Sequence, residues 1–490
     1  MISACHNPRL YALSAANLLK HAENLVLKTN FHDSSTERKG CYLKSKTILV
    51  LASLSAVPFI MVLGNSMLIP VLPQMQKHLG ISQFQTSLVI SLFSIPAGLI
   101  IPFAGFLSDR IGRRIVIAPS LLIYGIGGII AGSASLLLGK SAYWAIMAGR
   151  IIQGIGAAGT APVAMALVGD IFTTKERSKA LGYIEASNGL GKVVSPILGS
   201  LIALVAWYAT FFVFPLLTVP IAAGVWFLVK EPSAKKSQQS IKQYLGSIAT
   251  IFKNKAAFLI SAFLAGALSL MLLFGILFFL SDYLESTLKL FGVKKGLVLA
   301  IPVLVMSITS LTTGTLIKKK VPLMKKLVII GLGTATLTLG ILPFFKSPWI
   351  NVGIMSATGI GVGLILPCLN TLITSSTSNQ ERGMVTSLYG GIRFFGVAAG
   401  PPLFGLLDNF SKYVMFWTGA GAALALGVFC LLALPSKIKA QKSKQAEGNE
   451  HHWGQTFLDT VTFRNSIGHL VTRKPLNPES SDQSKNEEKN

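Results

Sequence analysis

Runs of uninterrupted apolar sequence, too long for any globular core element, constrain this chain more than any other feature. Thr47 to Leu72, Ala257 to Leu280 and Met415 to Leu434 each approach or exceed the roughly 20 residues a helix needs to cross a bilayer. A buried strand needs only about 4–8. Charge has been removed to match: 13% of residues are charged and 51% are hydrophobic, where soluble domains carry about 25% charge. The chain is expected to span a membrane as an all-α protein.

Apolar stretches separated by charged or turn-rich breaks give twelve expected spans, at 47–72, 84–106, 114–137, 142–169, 178–204, 208–229, 257–283, 293–316, 325–345, 348–375, 384–408 and 413–435. The widest internal break, 230–256, is polar and basic and separates six spans from six. The expected organisation is therefore a tail over 1–46, a six-helix bundle over 47–229, a cytoplasmic linker over 230–256, a second bundle over 257–435 and a disordered tail over 436–490. The net charge of +25, from 44 Lys+Arg against 19 Asp+Glu, would suggest nucleic acid in a soluble protein. Here the basic residues punctuate alternate gaps, among them Arg110, Arg113 and Arg114, then Lys175, Arg177 and Lys179, then Lys318, Lys319 and Lys320. That bias predicts both termini in the cytoplasm of a cell-membrane protein. Cys5, Cys41, Cys368 and Cys430 show no CxxC spacing, so neither a disulfide framework nor a metal site is expected.

A repeat is written into the chain. Glu176-Arg177 precedes the fifth span and Glu381-Arg382 the eleventh, an offset of 205 residues (381 − 176 = 205). The same offset carries Gly154, Gly156 and Pro162 onto Gly359, Gly361 and Pro367, and Gly191 and Pro196 onto Gly396 and Pro401. With an even number of spans per half the repeats run parallel. The charges do not repeat: Asp109 maps to Gly314, Arg150 to Met355, Glu185 to Gly390, and Arg393 back to Asn188. Those unmatched residues are the candidates for function.

Three motifs carry a family resemblance. Between the second and third spans, Gly105, Asp109, Arg110, Gly112, Arg113 and Arg114 resemble the loop G-x-x-x-D-R-x-G-R-R of the major facilitator superfamily, in which Asp109 is expected to meet a helix N-terminus or basic residues across the halves as a conformational latch. In the fourth span, Arg150, Gln153, Gly154 and Gly156 resemble R-x-x-Q-G-x-G-A-A, implicated in that family in proton coupling; an arginine snorkelling to the interface is the alternative. In the fifth, Gly191, Ser195, Pro196 and Gly199 are similar to the bend motif G-x-x-x-G-P-x-x-G-G of proton-driven exporters, with Ser195 and Ser200 in place of two glycines. The second-half copy, Gly396, Gly400, Pro401 and Gly405, retains its Gly-Pro.

Glu185, Asn188 and Lys192 share one helical face by their spacing. An acid and an amine inside a span point to a polar cavity. Glu185 is the expected protonatable residue, and Asn65, Asn188, Lys192 and Arg393 are expected along the substrate path. Asp282, Tyr283 and Glu285, at the end of the seventh span, are expected in an exposed, hydrated loop end, with gating or cation attraction as the alternative. No P-loop, zinc motif or nucleotide fingerprint accompanies them, so no cofactor is expected.

The resemblance implies a major facilitator fold of twelve transmembrane helices in two six-helix pseudo-repeats. It further implies a monomeric, proton-coupled efflux antiporter for drugs or other small amphipathic molecules, working by alternating access and not an enzyme. A dedicated exporter of an endogenous metabolite, such as an anionic siderophore, is the competing expectation; an importer, a facilitator and a non-transporting sensor stand behind it.

Overall fold

Lipid offers a peptide group no hydrogen-bond partner, so apolar spans fold as helices that pair their own backbones. The computed structural model describes residues 34–172, 174–231, 241–317, 320–376 and 379–435, with most side chains from Thr47 onward, and these form helices, short 3-10 turns and connecting loops without a strand. Of the tails expected over 1–46 and 436–490, residues 1–33 and 436–490 lie outside the described residues, as do 232–240 of the expected linker and Lys318 and Lys319; residues 34–46, expected as tail, belong to the first helix.

The first half comprises α1 (Ser34–Ser66), α2 (Leu72–Leu79), α3 (Gln83–Ile111), α4 (Arg113–Leu137), α5 (Tyr143–Ala158), α6 (Ala161–Ile171), α7 (Thr174–Ile202) and α8 (Ala209–Leu228). The second comprises α9 (Ile241–Ser286), α10 (Gly292–Leu316), α11 (Val321–Ile341), α12 (Pro348–Ser376), α13 (Asn379–Asp408) and α14 (Lys412–Ala433). Eleven stretches are long and apolar enough to cross a bilayer, counting α1 with α2 and α5 with α6 as one each. The long helix outside that set is α7, which includes Lys175, Glu176, Arg177, Lys179, Glu185 and Lys192. Its polar content is the reason it falls short of an apolar criterion while matching the others in length.

Three further boundaries differ from expectation, each for a local reason. The first span does not stop at Leu72: a 3-10 turn at Ile69–Val71, set by Pro70 and Pro73, leads into α2. The fourth span is divided at Gly159 and Thr160, with a proline opening α6 where its missing N–H costs nothing. The break expected over 230–256 is helical from Ile241, with a kink at Lys255 (φ −137°, ψ 28°).

Glycines set how closely the helices approach. A Cβ on Gly191 or Gly199 of α7 would strike the carbonyls of Phe59 on α1 or of Met67 just beyond its end, and one on Gly396 or Gly400 of α13 those of Ala267 or Met271 on α9. The two copies of the bend motif thus perform the same close packing in the two halves, as a duplicated scaffold requires. Ser195, standing where the motif has glycine, is fully buried and donates its hydroxyl to the Gly191 carbonyl of its own helix. Gly405 contacts α9 at Phe278.

The halves meet along two seams, α3 with α13 and α7 with α10. On the first, Ser91 Oγ donates to the Ala398 carbonyl at 2.6 Å, Gly98 lies against Gly391, and Gly105 against Ser387. On the second, Gly296 packs against Pro196 and Ser200. Cys368 and Cys430 are free thiols, both fully buried among apolar side chains.

Candidate functional site

The seams enclose a cavity of about 2130 Å³, lined by both halves and reaching from Asn65 and Phe93 to a rim at Asp109, Asp170 and Glu231. That is larger than the roughly 300–1,000 Å³ of an ordinary small-molecule pocket. The rim marks the open end. At the opposite end Met67, Leu68, Ile69, Val71, Leu280 and Leu284 are buried to within 1% and close the space with apolar side chains from both halves.

The face of α7 predicted by spacing does border this cavity, with Glu185, Asn188 and Lys192 in its wall, and Arg393 of α13 borders it from the other half. Neither Glu185 nor Lys192 makes a hydrogen bond or close ion pair among the described residues, and Lys192 lies within electrostatic reach of both Glu185 and Arg393. The guanidinium of Arg393 stacks over the Tyr389 ring at 4.8 Å, and its Nε has no hydrogen-bond partner. Asn188 Oδ1 and Ser307 Oγ, on facing helices α7 and α10, are likewise buried without partners. Unpaired buried polar atoms are costly, and their concentration around this part of the cavity, on both halves, provides donors and acceptors for a bound molecule. Sequence reading missed Ser307 and Tyr389, because a serine or tyrosine within an apolar span carries no signal of its own.

Arg150 is not on the cavity wall and does not snorkel: it is fully buried. Its Nε donates to the Val89 carbonyl at 2.9 Å, Nη1 to the Gly64 carbonyl at 3.0 Å and to Gln153 Oε1 at 2.7 Å, and Nη2 to Asn65 Oδ1 at 2.7 Å. The ring of Phe93 covers it at 4.4 Å. The planar fork of arginine suits such spread acceptors. Asn65 also donates to Ser94 Oγ at 2.9 Å and lines the cavity, so it joins the buried guanidinium to the transport path.

The loop motif departs from expectation. Asp109 was expected to reach across the halves, but it pairs with Arg113 of its own half at 3.2 Å, and Arg113 in turn pairs with Asp170 at 2.5 Å. The physical reason is the open rim: the halves are separated there, and Gly105, one turn deeper, is the motif residue that touches α13. Glu231, unnoticed in the sequence, caps α4 by accepting from the Arg113 and Arg114 amides at 2.7 and 3.2 Å, where the helix dipole favours an anion. Gly112 makes this turn at φ 115°, a conformation open to glycine. Arg114 donates to the Trp226 and Val229 carbonyls, each at 3.3 Å, and lies over the Trp226 ring at 5.1 Å; Arg110 lies over Phe106 at 5.6 Å.

A second correction concerns the end of α9. The expected hydrated loop end is instead buried: Glu285 is 4% exposed and Tyr283 8%. Glu285 is held by Lys77 of the first half at 2.6 Å and by Lys295 at 2.9 Å, which removes its need for water.

Comparison with known proteins agrees with this architecture. Residues 54–401 and 325–476 match the profile of the Major Facilitator Superfamily. The chain is 40% identical over 396 residues to a protein named bacillibactin exporter of Bacillus subtilis, covering 80% of this chain and 98% of that one. It is 26% identical to Multidrug resistance protein 2 of the same organism, covering 79% and 95%. Among solved structures, a bacterial homologue of the human lysosomal transporter Spinster, inward-facing and occupied, superposes with a TM-score of 0.63 at 16% identity, covering 82% of this chain and 99% of that one. The chain belongs to the Major Facilitator Superfamily and is a multi-pass membrane transporter, not an enzyme.

Proposed function

We propose that this protein exports a bulky anionic small molecule from the cytoplasm by alternating access, its two six-helix halves (47–229 and 257–435) rocking about the central cavity. One observation carries the reading: Lys192 and Arg393, from opposite halves, border a cavity of about 2130 Å³ beside unpartnered Asn188 and Ser307. A cargo with anionic oxygens spaced across the cavity would satisfy both cations at once. The likeness to a bacillibactin exporter over nearly its whole length supports a dedicated metabolite exporter. The Lys/Arg bias of the loops supports an open rim and both termini on the cytoplasmic side of the cell membrane, and in that orientation the conformation described is the one that loads.

Export against a gradient needs a driving ion, and Glu185 is the carboxylate on the cavity wall away from the rim. Proton binding there would weaken its attraction for Lys192 and change the charge that the cargo meets. Arg150, tied to the cavity through Asn65, would transmit the change to α1, α3 and α5. The working unit is a monomer.

A second reading, polyspecific drug efflux, is favoured by the apolar part of the lining, including Phe274, Leu277, Val303 and Met306, and by the likeness to multidrug resistance proteins. Transport in inverted membrane vesicles separates the two. Uptake of bacillibactin that needs an imposed pH gradient, and whose KM rises about tenfold in Lys192→Met or Arg393→Gln while ethidium uptake is unchanged, supports the anionic exporter; each charged contact is worth about 1.5–3 kcal/mol. Uptake of ethidium alone, indifferent to both substitutions, overturns it in favour of drug efflux. Undiminished proton-driven uptake in Glu185→Gln removes Glu185 as the coupling site.

A further inference from the structure

The closed end of the cavity holds a charged device that neither the family motifs nor the transport cavity accounts for. The 3-10 turn at Ile69–Val71 interrupts the helical pairing of the first span, and two of its carbonyls are captured by the second half. Ser281 Oγ of α9 donates to the Ile69 carbonyl at 2.8 Å, and Lys295 Nζ of α10 to the Pro70 carbonyl at 2.9 Å. Glu285 of α9 completes the arrangement, accepting from Lys77 of α2 through one oxygen and from Lys295 through the other. Glu285 and Lys295 are almost fully buried side chains, at 5% and 2% exposure, whereas Lys77 is 70% exposed. Asp282 lies within electrostatic reach of Lys295, Glu285, Lys77 and Lys412.

These charges are not part of the duplicated scaffold. At the repeat offset Lys77 corresponds to Asp282, Glu285 to Gly80 and Lys295 to Ile90. Equivalent positions of the two halves therefore carry opposite or absent charge, which a purely structural repeat does not require.

We infer that Lys77, Glu285 and Lys295, with the Ile69–Pro70 carbonyls, form a gate that holds this end of the cavity shut, and that parting it is the step that opens the cavity to the opposite face. The inference rests on alternating access, and on the proposed orientation it is the external gate. Opening breaks Lys77–Glu285, Lys295–Pro70 and Ser281–Ile69, because each joins the two halves. The Glu285–Lys295 pair lies within the second half and survives, so neither buried charge is left unpaired. The chemistry is that of a reversible lock: the broken links end on groups that water can solvate.

The test is thiol accessibility, which requires neither a cargo nor a direction of transport. In a full-length chain with Cys5, Cys41, Cys368 and Cys430 replaced by serine or alanine, Met67→Cys serves as reporter; Met67 is fully buried beneath the gate. Right-side-out and inverted vesicles are treated with a membrane-impermeant maleimide. Glu285→Gln should raise labelling from the gate face roughly tenfold, because it removes the Lys77 link and also leaves Lys295, 2% exposed in the closed end, without its anion. Lys77→Met should raise it only about two- to threefold, since an exposed pair contributes less. Labelling unchanged in Glu285→Gln, or raised equally from both faces, overturns the gate; a general loss of packing gives the second pattern. Should Glu285→Gln fail to accumulate, Lys77→Cys/Glu285→Cys joined by a short cleavable bis-thiosulfonate gives an independent answer. Maleimide labelling of residue 67 from the gate face, carried out after cross-linking and read on its own peptide, should vanish and return on reduction, while a chain with Met67→Cys alone still labels after the same reagent; persistent labelling of the cross-linked protein refutes the proposal. Failure of the cargo assays above would leave this result untouched.

Discussion

Arg150→Lys keeps the buried charge and removes the fork, and it tests how much the cage around the guanidinium contributes. Arginine reaches four acceptors from three nitrogens: the Val89 and Gly64 carbonyls, Gln153 Oε1 and Asn65 Oδ1. Lysine has one nitrogen on a flexible stem, so Val89, served by Nε, and one of the acceptors now divided between Nη1 and Nη2 lose their donor. Hydrogen bonds to charged groups are worth about 1.5–3 kcal/mol each. Two lost bonds give about 3–6 kcal/mol before relaxation, and reorientation of Gln153 recovers part, leaving about 3 kcal/mol. The assay is equilibrium unfolding of the purified protein in detergent, run as a double-mutant cycle with Asn65→Leu. Coupling between the two substitutions should be about 1.5–3 kcal/mol, because the Nη2 bond is counted in both. A destabilisation below about 1 kcal/mol, or additive effects, would refute the cage as an energetic unit.

Gly396→Ala should destabilise by about 1–3 kcal/mol, read as loss of monodisperse protein on heating, because its methyl would meet the Ala267 carbonyl. Gly421→Ala, which meets nothing within 4 Å, is the silent control. Glu231→Gln should cost about 0.5–1 kcal/mol by weakening the cap of α4; a loss unaffected by salt would argue against a charge-dependent cap.

Much of the fold was legible because span length and loop charge are local properties. Twelve apolar stretches, the prolines that interrupt them and the 205-residue repeat are all readable without partners. The polar residues of α7 border one cavity because helical periodicity puts Glu185, Asn188 and Lys192 on one face. Legibility ended at pairing. Glu285 read as a hydrated loop end because its partner Lys77 is 208 residues away. Asp109 read as a bridge between halves because its motif says nothing about which end of the cavity is open.

The sequence by itself therefore determined that the chain crosses a membrane repeatedly, that its halves are duplicated, and which charges break the duplication. Only the tertiary structure decided that Arg150 sits in a neutral cage, that Glu231 caps α4, that Lys192 and Arg393 share a cavity, and that Lys77 meets Glu285 across the closed end. The reason is physical. Burying an apolar run depends on its own length and composition, whereas satisfying a polar group depends on the register between helices. That register is set where glycines bring backbones into contact, far along the chain from the charges it aligns.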